Sequence, residues 1–162
     1  MAIIMELLLP KNIFFEAQFE CILTDALTGK VRLRRLFKNL TANTATYVYA
    51  RVCAGNTLYT GAINYVAVGT SSLTPMVTDT QLNAEVARVI YSSRSFSLNQ
   101  AFFSFFFNTA SANFSLQEIG LVIDGTTVAN TGQLFDHANI DVNKTSSDNL
   151  TVNATVTFSA PL

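Results

Sequence analysis

Tryptophan is absent from this sequence, histidine occurs once, cysteine twice and proline three times, and charged residues make up only 13% of the chain. Each shortage excludes something. The one histidine, His137, follows Asp136 in a segment that reads as a strand, where neighbouring side chains point to opposite faces, so no catalytic triad can be drawn around it. Cys21 and Cys53 are too few for a disulfide framework and show no CxxC or Cys/His zinc spacing, so both read as buried thiols without an activating neighbourhood. There is no Gly-rich phosphate loop, HExxH or calcium-loop pattern. No catalytic, cofactor-binding or metal-binding residue is therefore assigned, and the chain reads as a non-enzymatic protein with no cofactor.

Charge of one sign is lacking too. Ten Lys and Arg against eleven Asp and Glu leave a formal charge of −1, which supplies no long-range field toward nucleic acid or an anionic membrane. The opening Met-Ala-Ile-Ile-Met-Glu-Leu-Leu-Leu-Pro has no basic start, carries Glu6 inside its apolar run and stops at Pro10, short of a bilayer. It reads as neither signal peptide nor membrane span. Residues 1–12 are expected to form an apolar arm docking on a neighbouring subunit or an edge strand of the chain's own core.

What is present points to β structure. Hydrophobic residues reach 49%, with 13 phenylalanines, and Asn, Thr and Ser occupy the places Lys and Glu usually take. That is too apolar for disorder and too sparsely charged for a comfortable monomer, so a homo-oligomer is expected. Extended runs are expected over residues 13–23 and 30–37, joined by Asp25-Ala-Leu-Thr-Gly29 as a turn, then over 63–68, 89–98, 101–108, 114–123, 132–142 and 150–158. Residues 44–54 carry apolar positions at helical spacing ahead of Gly55, and residues 79–88 suggest a second short helix with Leu82, Val86 and Val89 on one face. Eight or so strands with close turns imply one all-β domain over residues 13–162, an antiparallel β-sandwich or barrel, with a jelly roll among its forms and one or two short helices.

Three segments carry information about partners. In Phe102-Phe103-Ser104-Phe105-Phe106-Phe107, strand alternation sends Phe103, Phe105 and Phe107 to one face and Phe102 and Phe106 to the other, so both faces avoid water and a second subunit is the expected cover. Lys30, Arg32 and Arg34 alternate with Val31 and Leu33 as a cationic stripe, but no aromatic stacking platform is interleaved, which argues for a solvated face or inter-subunit ion pairs rather than nucleic-acid binding. Arg88 and Glu118 each interrupt an apolar stretch, and pairing them with each other would satisfy both charges and set strand register. A different use of the chain, as a carbohydrate- or receptor-binding module, would draw on Tyr47, Tyr49, Tyr59 and Tyr65.

The order of short segments resembles a known family. Thr28-Gly29-Lys30-Val31 followed by Lys38-Asn39-Leu40, then Val68-Gly69-Thr70 with Pro75, Asp79-Thr80, Leu82, Glu85 and Arg88, is similar to small tail or fibre-associated proteins of tailed phages and prophages. Glu118-Ile119-Gly120-Leu121, Gln133-Leu134-Phe135, Lys144 and the closing Leu150 to Phe158 continue the likeness over residues 20–158. The resemblance implies a virion structural protein in the tail or tail fibre, with capsid decoration as the neighbouring alternative. It also implies oligomeric β-modules and other virion proteins as partners, and carries over no catalytic residue.

Overall fold

A computed structural model describes residues 14–159. Nine strands and one helix follow in the order β1 (Phe14–Asp25), β2 (Val31–Lys38), β3 (Leu40–Thr41), α1 (Asn43–Cys53), β4 (Ile63–Gly69), β5 (Glu85–Ser97), β6 (Gln100–Phe107), β7 (Ser115–Ile123), β8 (Gln133–Asn143) and β9 (Asp148–Ser159). Every pairing is antiparallel, in the order β2-β1-β9-β6-β5-β4-β7-β8-β3. The all-β antiparallel fold expected from the sequence is therefore present, as one sheet that nearly closes into a barrel.

Local chemistry sets several of these elements. The β1–β2 turn is closed by the Asp25 carboxylate, whose Oδ1 accepts from the amides of Leu27 at 3.1 Å and Thr28 at 2.8 Å and from the Thr28 hydroxyl at 2.8 Å. These bonds hold the Asp25 carboxyl below its usual range, the Thr28 amide contributing most. Gly29 follows at φ +71°, a conformation that glycine adopts without steric cost. In β9, Leu150, Val152, Ala154 and Val156 are wholly buried, while Thr151, Asn153, Thr155 and Thr157 face outward.

Long β5 links the two halves of the sheet. Its first half pairs with β4 and its second, from Tyr91 to Ser97, with β6. The sequence β7-β4-β5-β6 is a Greek key, because the chain leaves β6 and returns beside β4. The ends of the sheet are brought together by a single residue, Asn39, which alone separates β2 from β3 although those strands lie at opposite ends of the pairing order. Asn39 Oδ1 accepts from the Ala17 amide at 3.2 Å, and the Thr41 hydroxyl donates to the Phe15 carbonyl at 3.0 Å. Such closure leaves few unpaired strand edges. The main core lies inside, drawing Phe19 and Cys21 from β1, Phe105 and Phe107 from β6, Val66 and Val68 from β4, Ile119 and Leu121 from β7 and Phe135 from β8.

Two expectations need correction. The helix expected over residues 44–54 forms over Asn43–Cys53, with Ala45 and Val48 buried, but residues 79–88 form none. There Leu82 is held in a smaller apolar cluster with Tyr65, Ala67, Val122 and Leu134, the Asn83 and Ala84 amides bind Glu118, and β5 begins at Glu85. Tertiary partners for those amides replace the intrahelical ones. Cys21 is buried as expected, whereas Cys53, on the last turn of α1, is exposed. The arm or edge strand expected over residues 1–12 lies outside the described residues.

Candidate interaction site

The phenylalanine strand divides more sharply than its sequence suggested. Phe105 and Phe107 are fully buried, and Phe103, partly buried, stacks on Phe105 with ring centroids 6.2 Å apart. Phe105 and Phe107 are thus covered by the chain's own core, which takes these two residues out of the expected interface, while Phe103 stays partly open. Phe102 and Phe106 remain on the outer face, Phe106 at 44% exposure. They sit in registered rows with Thr155 and Thr151 of β9, a face otherwise rich in hydroxyl and amide side chains.

The larger apolar feature lies where no sequence pattern announced it. A cleft of about 540 Å³ opens between the end of α1, the segment Gly61–Ala62–Ile63, the β5–β6 hairpin and the end of β9. Its aromatic walls are Tyr49, Phe96, Phe103 and Phe158, with Arg94 at the rim. Tyr49 is fixed from two sides: its hydroxyl donates to the Gly61 carbonyl at 3.2 Å, and its ring stacks on Phe15 at 5.3 Å. Burial pushes the Tyr49 hydroxyl up to about 12, so it remains a neutral donor. Arg94 lays its guanidinium over the Tyr91 ring, 4.5 Å from the centroid.

The hairpin beside the cleft ends in an exposed apolar tip, with Phe96 at 84% and Leu98 at 98% exposure. Leu98 also takes φ +53°, a left-handed conformation that costs a non-glycine residue roughly 1–2 kcal/mol. Asn99 ties this tip to β9 by a reciprocal pair: its carbonyl accepts from the Phe158 amide at 2.9 Å, and its side-chain amide donates to the Phe158 carbonyl at 2.9 Å. A strained, apolar turn is therefore tied to β9.

Comparisons with family models, with curated proteins and with solved structures found no match. The site stands on its own geometry.

Arg88 and Glu118 do not pair with each other. Arg88 forms a fork with Glu85, Nε to Oε1 at 2.5 Å and Nη2 to Oε2 at 2.7 Å, both side chains being almost wholly buried. Its Nη1 donates to the carbonyls of Thr126 and Thr131 and to the Thr131 hydroxyl at 3.0–3.1 Å, which pins the β7–β8 connection. Glu118 instead clamps the β4–β5 connection, accepting from the Asn83 amide at 2.9 Å and the Ala84 amide at 2.6 Å. Gly69 is its registered partner on β4, and a Cβ there would overlap the Glu118 carboxylate and come within 2.5 Å of the Ala84 carbonyl oxygen. Further along β7, Gly120 permits a similar close approach: a Cβ on it would meet the Asp136 carbonyl oxygen and Leu134 at 2.9 Å and Leu82 at 3.1 Å.

The remaining sequence candidates have structural partners. His137 Nε2 lies 3.1 Å from the Met76 carbonyl oxygen and 3.6 Å from Asp79 Oδ2, tying the β4–β5 connection to β8. Asp136 is wholly buried; Asn39 Nδ2 donates to its Oδ2, Oδ1 has no partner, and burial raises its pKa well above the usual carboxylate range. Burial also raises the Cys21 thiol to about 12, so its thiolate is scarce at neutral pH. Within the cationic stripe Arg32 meets Asp148 at 2.6 Å and Arg34 meets Glu20 at 3.5 Å, both acids of this chain, and the neighbouring Arg35 lies 3.3 Å from Asp141. Of the tyrosines, Tyr65 is buried, Tyr49 and Tyr59 are half-buried and Tyr47 is exposed, so they form no common platform. Among the described residues no group of three or more His, Cys, Asp and Glu is arranged to hold a metal, and no helix is long and apolar enough to cross a membrane.

Proposed function

We propose that this chain is a non-enzymatic structural component of a tailed-phage particle, in the tail or its fibres, that works by packing against copies of itself and other virion subunits. The observation that carries the packing reading is the β5–β6 tip. Leu98 accepts a strained backbone while its side chain gains nothing from the fold it belongs to, since it is 98% exposed. Phe96 beside it is 84% exposed and forms one wall of an aromatic cleft. Exposed apolar side chains beside an aromatic cleft are a surface that a protein partner can cover. The virion and tail assignment rests on the ordered resemblance of residues 20–158.

Light scattering over a wide concentration range tests the packing. The full chain is expected to form a discrete oligomer or a growing assembly, and Leu98→Asn is expected to weaken it while leaving the thermal midpoint unchanged or higher, because Asn tolerates positive φ. A wild-type monomer at all concentrations refutes self-packing. Mass spectrometry of fractionated particles tests the location: recovery with heads alone would move the chain to capsid decoration.

A further inference from the structure

We propose that the cleft beside the β5–β6 hairpin is the docking site for residues 3–9 of a second copy of this chain. The inference rests on the self-packing reading above and names the segment and the surface that carry it. Residues 3–9 read Ile-Ile-Met-Glu-Leu-Leu-Leu and lie outside the described residues, so they enter as a sequence: six apolar side chains around a single carboxylate. The cleft has the complementary composition. Phe96, Phe103, Phe158 and Ile63 offer apolar wall, and Arg94 stands at the rim as the cation.

Arg94 takes part in none of the salt bridges or side-chain hydrogen bonds formed among the described residues, its guanidinium resting instead on Tyr91. The arginines of β2 by contrast are each engaged with an acid of the same chain. A carboxylate entering an apolar cleft loses hydration and needs a cation to offset that cost. Glu6 interrupts an otherwise apolar run, and Arg94 is the charged residue among those lining the cleft; each supplies what the other lacks. At about 540 Å³ the cleft falls within the range that encloses a small organic ligand, enough for a few of the segment's side chains at a time.

A second copy fits better than self-insertion because of the hairpin tip. Leu98 is 98% exposed and is not among the residues lining the cleft, so a short segment filling the cleft leaves it uncovered, whereas a second copy brings a body that can cover it. Reciprocal exchange between two copies provides both contacts together, and the second contact then forms at the high effective concentration of a tethered group.

The test uses two charge reversals in the full chain, Glu6→Arg and Arg94→Glu, each followed by sedimentation or light scattering across concentration, with far-UV circular dichroism to confirm folding. Each variant alone is expected to need at least about tenfold more protein for half-assembly than wild type, because like charges then face each other in every arm–cleft pair. An equimolar mixture is expected to recover association, since the unaltered Glu6 of one variant meets the unaltered Arg94 of the other. Wild-type assembly by both variants would overturn the docking proposal and leave self-packing standing. A mixture as weakly associated as its components would overturn exchange between copies. A wild-type monomer at every concentration would overturn the self-packing reading itself.

Discussion

Replacing Glu118 with alanine removes the acceptor of two buried amides, and the structure fixes what that should cost. Both carboxylate oxygens are used, one on Asn83 N at 2.9 Å and one on Ala84 N at 2.6 Å, and the residue is only 3% exposed. Hydrogen bonds to a charged group contribute roughly 1.5–3 kcal/mol each, and the amides they satisfied are left partly buried. Water can reach some of the vacated volume, which returns a share of the loss. Glu118→Ala is therefore expected to destabilise by about 3–5 kcal/mol. Urea unfolding should show a lower midpoint at unchanged slope, and hydrogen exchange should speed at Asn83 and Ala84 before the rest of the sheet. Because Arg88 has its own partner in Glu85, Arg88→Met combined with Glu118→Ala should be additive within about 0.5 kcal/mol. A loss under about 1 kcal/mol for Glu118→Ala, or unchanged exchange at the two amides, would refute the clamp. A coupling of several kcal/mol would restore the direct pair.

The glycine opposite that clamp should be as sensitive. Gly69→Ala places a Cβ 2.5 Å from the Ala84 carbonyl oxygen, a backbone atom that cannot swing aside, so a loss above about 2 kcal/mol is expected in thermal or urea unfolding; wild-type stability would mean that the β4–β5 connection is free to move. Asp136 has its pKa raised in the folded state, so the fold is favoured by the protonated carboxyl, and stability should fall as pH rises above the ordinary Asp value of about 3.9 toward the folded one. Asp136→Asn removes that contribution, and its thermal midpoint between about pH 4 and 8 should decline less than that of wild type; parallel curves would count against a buried acid there. Phe105→Ala should cost about 3–5 kcal/mol of unfolding free energy, and Phe106→Ala, on the outer face, under about 1 kcal/mol. Equal losses would mean that β6 faces are not divided as described.

Alternation, turn chemistry and composition by themselves determined the all-β class, the β1–β2 turn at Asp25–Gly29, the first helix to within a residue at each end and the approximate course of the other long strands. These are local properties: period-two patterns, a carboxylate that bonds amides two and three residues on, and glycine at positive φ act within a few residues of one another. The helical pattern at residues 79–88 was overridden by a partner 34 residues away, because Glu118 offers the Ala84 amide a charged acceptor. Arg88 and Glu118 looked complementary because sequence shows charge but not the bulge in β5 opposite Val68 and Gly69, near which Glu85, three residues before Arg88 on the same strand, becomes its partner. The Phe-rich strand announced two apolar faces, but only the tertiary structure showed that Phe105 and Phe107 are spent on the core and that the exposed aromatic wall belongs to Phe96. The cleft itself draws on α1, the segment leading into β4, the β5–β6 hairpin and β9, so it exists only after the folded sheet has brought these distant segments together.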